Sequence, residues 1–124
     1  MIPYVLEGGV VAAAEVTIVK TPLIGPNLMF TSLSVLAMDD DNIIATFIEI
    51  GIINGTKLIP IDSTPGPFPA NTSMTIYWPC MLGAGQGIYA KFSTPTDGDR
   101  LTVISHGILE KAVAYDFRAS RMGP

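Results

Sequence analysis

Few side chains in this sequence could make or break a bond. It holds one histidine, His106, and one cysteine, Cys80. A cysteine nucleophile needs a base to take its proton, and His106 is the only imidazole on offer. Cys80 follows Pro79 in an apolar run, where an inert buried thiol is the ordinary outcome. A serine nucleophile would call for a sharp turn of the Gly-x-Ser-x-Gly kind, which is missing. One histidine is too few for the metal centres of double-sheet metalloenzymes. Asp39, Asp40, Asp41 and Asn42 cluster oxygens of the type calcium accepts, and Asp97 and Asp99 flank Gly98 in the same manner. Neither group has EF-hand spacing, and Asp-rich tight turns form without metal. Gly83, Gly85 and Gly87 lack the Gly-x-Gly-x-x-Gly spacing of a phosphate loop and read as a turn or bulge before Ile88. Tyr77 and Trp78 could stack on a sugar, but neighbours in a strand face opposite ways, so only one of them lines a given face. The expectation is no catalysis, no metal and no cofactor.

Composition narrows the field further. The chain has 124 residues, 7 Lys and Arg against 11 Asp and Glu, and a formal net charge of -4. That is room for one domain. An acidic chain this poor in cations lacks the footprint of a nucleic-acid binder. Charged residues are 15% of the chain, against about 25% in ordinary soluble domains. Mean hydropathy is +0.44. A monomer of this mass exposes roughly 6,400 Å², or about one charge per 350 Å². So thin a coating leaves apolar patches of the kind that mark contact sites. The sequence therefore predicts a subunit that buries surface against copies of itself or other chains. Apolar runs reach about ten residues, short of the ~20 of a spanning helix, so no membrane partner is expected. The start of the chain has no basic segment ahead of an apolar run, so synthesis in a cytoplasm is expected.

The elements that must position these residues are strands. Apolar and β-branched runs of five to ten residues alternate with Gly, Pro, Asn and Asp, the spacing of an all-β sandwich. Runs at 16–19, 28–38, 43–53, 57–61, 73–78, 88–93 and 100–108 give seven or eight antiparallel strands, enough for two sheets. Asn54-Gly55 reads as the centre of a type I′ hairpin turn. Pro60 has no N–H to give a neighbour, which places its strand at a sheet edge. Residues 62–71 form a proline-rich loop in which Phe68 stands between Pro67 and Pro69. Lys111, Arg118 and Arg121 make the C-terminal stretch basic. About 1–10 and 110–124 are expected to act as terminal arms on one domain spanning 1–124.

One order of features resembles a known family. It runs Asn-Gly hairpin, long loop, strand to Leu82, glycine turn, Ile88-Tyr89-Ala90, Asp/Gly turn, and Leu101-Thr102-Val103-Ile104-Ser105-His106-Gly107-Ile108. This resembles the small jelly-roll modules of tailed-phage virions, found in capsid decoration (cement) proteins and in tail or fibre parts. The likeness covers about half of the chain. The turn Gly-Ala-Gly-Gln-Gly departs from it by lacking the acidic residue that often follows the glycine. The resemblance implies a jelly-roll sandwich on the capsid surface, with the major capsid protein as partner and a homotrimer as the favoured order. The candidate contact residues are Phe68, Pro67, Pro69, Trp78, Gly85, Arg118 and Arg121. The alternative is a receptor- or glycan-binding module of a phage tail, with Trp78 and the loop at 62–71 as its surface.

Overall fold

Residues that fit a pleated, half-buried surface fill this chain, and they pair as antiparallel strands. A computed structural model describes residues 1–12, 16–39, 47–63, 73–76, 79–93, 95 and 98–111. Nine strands are found among them. They are β1 (Ile2–Val11), β2 (Thr17–Lys20), β3 (Leu28–Asp39), β4 (Ile48–Asn54), β5 (Lys57–Ser63), β6 (Ser73–Ile76), β7 (Cys80–Leu82), β8 (Gln86–Phe92) and β9 (Arg100–Lys111). The front sheet runs β1-β9-β3-β6, with β7 sharing β6's side of β3. The back sheet runs β2-β8-β4-β5. Successive strands change sheet except at β4–β5 and β6–β7. This winding is that of a jelly roll, and because β6 and β7 occupy one lane the strands fill eight lanes. The fold is an all-β sandwich, as the sequence predicts. No helix among the described residues is long and apolar enough to cross a membrane.

The core lies between the sheets. Phe30, Val35, Leu101 and Val103 from the front meet Ile50, Ile88 and Phe92 from the back. Within it sits one polar pair: the hydroxyls of Ser32 and Ser105 lie 2.8 Å apart, fully buried. A buried hydroxyl is tolerable when bonded and costly when orphaned.

Three local expectations need correcting. Residues 2–11 are no arm. They pair with β9 from Ile2↔Leu109 to Val11↔Arg100 and form one edge of the front sheet. Glu110 and Lys111, assigned to the other arm, are the last residues of β9. Asn54 pairs with Lys57, so the hairpin's central residues are Gly55 and Thr56, not Asn54 and Gly55. Only Gly55 of these has a positive φ, 63°, the pattern of a type II′ turn, in which glycine leads. Pro60 does lie on an edge strand, β5. The register beside it slips between Ile50 and Gly51, leaving Ile61 as a bulge.

The serine pair gives a test. Ser32→Ala alone strands the Ser105 hydroxyl and is expected to cost about 1–3 kcal/mol in urea unfolding. Adding Ser105→Ala should return part of that loss; a double variant weaker than the sum of the singles would refute the pairing.

Candidate interaction surfaces

The residues that suggested chemistry are kept apart by the fold. Cys80 pairs with Ser32, and its thiol faces inward with the serine hydroxyl as partner. Burial pushes that thiol's pKa up, partly offset by the bond to Ser32. His106 points the other way, out of the front sheet, and is exposed. The sheet itself stands between the two. Asp39 ends β3, and Asp39 and Asp99 are both buried. One oxygen of Asp99, Oδ2, is buried with no hydrogen-bond partner among the described residues. No group of three or more potential metal-ligating side chains occurs among the described residues. Asp40, Asp41, Asn42, Tyr77 and Asp97 lie outside the described residues.

The front sheet is apolar on both faces. In β9, Leu101, Val103 and Ser105 are buried and the alternate residues point out. Those outward residues include Ile104 and Ile108, both half-buried. Across the pairing, Leu36 faces out opposite Ile104, and Met38 does so opposite Thr102. The β3–β9 register shifts between Ser32 and Ser34, and the bulged Leu33 is 51% exposed. Val5, opposite His106, and Met81, opposite Thr31, are also exposed. Ser34, Leu36, Thr75, Ile104 and His106 line a hollow of about 150 Å³ in this face. Charge is confined to Arg100 at one end, Glu110 at the other, and Glu7 on β1; these, with His106, are the face's ionisable groups among the described residues. The clue was present in the sequence. Residues 28–38 and 101–109 are apolar in both phases of the alternation, as strands covered on both sides are.

The back sheet's outer face is different. Lys20, Lys91 and Glu49 project from it. Tyr89 lies over Gly51, fully buried, and donates its hydroxyl to Glu49 Oε2 at 2.8 Å. Burial pushes the Tyr89 pKa up strongly, and the Glu49 carboxylate beside it adds to the rise. Ile18, Ile53 and Leu58 lie on the same face, and Ile53 is buried there.

A third surface is the end of the sandwich that carries Gly85. Three loops meet there through backbone bonds: Gly55 N–H donates to Gly85 O at 2.9 Å, Gly85 N–H to Ile24 O at 2.9 Å, and Ile24 N–H to Gln86 O at 2.8 Å. Gln86 also closes its own turn, accepting from Gly83 N–H at 2.8 Å. Gly85 has φ 80°, the conformation its glycine permits. Leu23 is 46% exposed on this tip. Gly85 is thus half-buried and tied into its neighbours by backbone bonds on both its N–H and its carbonyl. The other sequence-derived contact residues, Phe68, Pro67, Pro69, Trp78, Arg118 and Arg121, lie outside the described residues.

No protein-family description matches the chain, and no curated protein does. Several solved structures are similar in part, two of them as follows. One is the N-terminal cellulose-binding domain of Cellulomonas fimi β-1,4-glucanase C, with 11% identity over 90% of this chain and 80% of that one, and a TM-score of 0.33. The other is a pentameric capsid protein isolated from metagenomic phage sequences, with 16% identity over 86% of this chain and a TM-score of 0.31. The chain spans 61% of that capsid protein's length. Both neighbours are β-rich, and at these scores the likeness carries no functional argument.

Tyr89 supplies a pH test. The fold favours its neutral form, so its contribution is intact below the ordinary tyrosine pKa of 10.0 and is lost as pH rises beyond it. Tyr89→Phe should lose about 1 kcal/mol at neutral pH. Its stability should then fall less between pH 10 and 11 than that of the parent chain. Parallel pH curves in chemical denaturation would sink this assignment.

Proposed function

We propose that this chain is a structural subunit of a phage virion, a decoration or cement protein that braces the capsid by burying apolar surface at the junctions between capsomers. The single observation behind this reading is the front sheet, which presents apolar side chains outward as well as inward. A lone domain gains nothing from a second apolar face, whereas an assembled one buries it. The major capsid protein is the proposed partner and the capsid surface the proposed location. The tip around Gly85 suits shell contact, because loops already held in place lose little freedom on binding. The trimer implied by the resemblance requires contact between unlike surfaces. The two edges of the front sheet, β1 on one side and β6 with β7 on the other, form such a pair. We further propose that the chain makes and breaks no bond, which is supported by the sheet that separates Cys80 from His106. The glycan-binding alternative rests on Trp78 and the loop at 62–71, of which only Asp62 and Ser63 are described.

Co-sedimentation with purified shells of its phage tests the proposal. The chain should pellet with shells and saturate at a fixed number of copies per capsomer. Leu23→Asp on the tip should weaken that binding at least tenfold, roughly the effect of placing a charge in an apolar contact, and leave the fold intact by circular dichroism. Failure to bind shells, together with retention on a glycan array, would replace this reading with the glycan-binding one.

A further inference from the structure

The apolar front face lies between two edges that match each other. β1 pairs with β9 over all ten of its residues without a register shift, and its far side has no strand partner among the described residues. A long, regular, apolar edge is a template for a further strand, and proteins ordinarily guard one with proline, a bulge or shortness. β5 has Pro60 and the bulge at Ile61, and β2 is four residues long. β1 has Pro3 near its start and one charge, Glu7. On the opposite edge β6 and β7 share one lane. Followed through β3 and β9, Ser73 is level with Gly9, Thr75 with Glu7, Cys80 with Tyr4 and Leu82 with Ile2. The two edges are therefore alike in length. They also run in opposite directions, because each pairing from β1 through β9 and β3 to β6 is antiparallel. A rotation about an axis along the strands keeps both level and direction, so it sets β1 of one copy beside β6 of the next as an antiparallel neighbour.

We infer that three copies of this chain join edge to edge, β1 against the β6–β7 lane of the next copy, with their front faces turned inward around a three-fold axis along the strands. This rests on the reading of the chain as an assembly subunit and names what covers its apolar sheet: the front faces of two further copies. Sheet width selects the number. Four lanes at ~4.8 Å make a side about 19 Å wide, and a triangular prism of that side holds each sheet about 5.5 Å from the axis, near half of the ~10 Å at which sheets pack. A square would hold it about 9.5 Å away and a pentagon about 13 Å, leaving a hole down the middle. Leu33, Leu36, Ile104 and Ile108 fill the centre of the triangle. With strands of roughly 35 Å, each copy contributes a face of about 700 Å², near the ~800 Å² per partner of standard interfaces. Arg100 and Glu110 stand at the two open mouths of the prism, in water, and the packing asks no new partner of either. Glu7 lies at a corner beside Thr75 of the partner subunit, and by the same lane width the three copies of Glu7 are roughly 16 Å apart. The hollow of about 350 Å³ that Glu7 shares with Gly9, Val11, Thr102 and Arg100 leads to one mouth and keeps its carboxylate wet. His106 faces the axis with Ser34, its cross-strand neighbour, beside it.

The seam is tested by the double variant Glu7→Cys with Thr75→Cys, made together with Cys80→Ser. Within one chain positions 7 and 75 are three lanes apart, roughly 14 Å at ~4.8 Å per lane, beyond a disulfide's reach of about 7 Å. Oxidation should therefore link different chains only and close covalent trimers on a non-reducing gel, while either cysteine alone gives none. Sedimentation equilibrium of the parent should find particles of three 13.2 kDa copies at micromolar concentration. Ile104→Lys should weaken that association at least tenfold, roughly the effect of burying a charge in an apolar contact, while circular dichroism stays that of the parent. A monomeric or dimeric parent would overturn the inference. Oxidised double variant that stays monomeric, or stops at covalent dimers, would overturn it too. Shell binding is read separately through the Leu23 tip: a chain that pellets with shells but is monomeric alone sinks only this inference, and a trimer that ignores shells sinks only the reading as a cement protein.

Discussion

A β-sheet has two faces, and the described residues of this chain cover only one face of the front sheet, with the back sheet. Everything else about the molecule turns on that. β9 carries the burden on both sides: Leu101 and Val103 fill the core, while Ile104 and Ile108 stand on the reverse. Core and outer surface are therefore written on alternate residues of one strand. A change at an odd position between 101 and 109 acts on core packing. A change at an even position alters the outward face.

The two sheets are asymmetric in how they treat water. The back sheet shields its outer face with charged side chains and a tyrosine laid flat over Gly51. The front sheet carries as many charged groups among the described residues, Arg100, Glu110 and Glu7, but they stand at the two ends of β9 and on the edge strand β1. What differs is their placement, which leaves Leu36, Ile104 and Ile108 without charged cover between them. The tip adds a second kind of contact, small and pinned by backbone bonds among three loops.

Local chemistry was readable in advance and pairing was not. Pro60 on an edge and the glycine turn before Ile88 follow from one residue's backbone, so the sequence shows them. Asn54-Gly55 locates the hairpin but not its type, because the turn depends on which residues pair across it, and Asn54↔Lys57 shifts the centre by one. β1 carries little strand signal of its own. Its run holds Pro3, Gly8 and Gly9, which weaken the local signal, and its partner β9 begins about ninety residues later. The separation of Cys80 from His106 was hidden for the same reason, since it follows from the register of β7 and β9 on β3. The outward apolar face was visible only as runs lacking a polar phase, which alone do not say whether a second layer or a partner supplies the cover.

The neighbours β1 and β9 have a consequence for how the molecule is made. A chain emerges from the ribosome at about 5–20 residues per second, N-terminus first. β1 is made well before β9, its partner among the described residues, which is complete only when residue 111 has been synthesised. For several seconds at least, an apolar strand waits without a ladder, in a fold whose sequence-distant contacts already slow its closure. Completion of β9, rather than any local nucleation around β1, sets the moment at which the sandwich shuts. Until β9 is made, the apolar residues of β1 lack the ladder that covers them, which makes this stretch the one most open to capture by a chaperone.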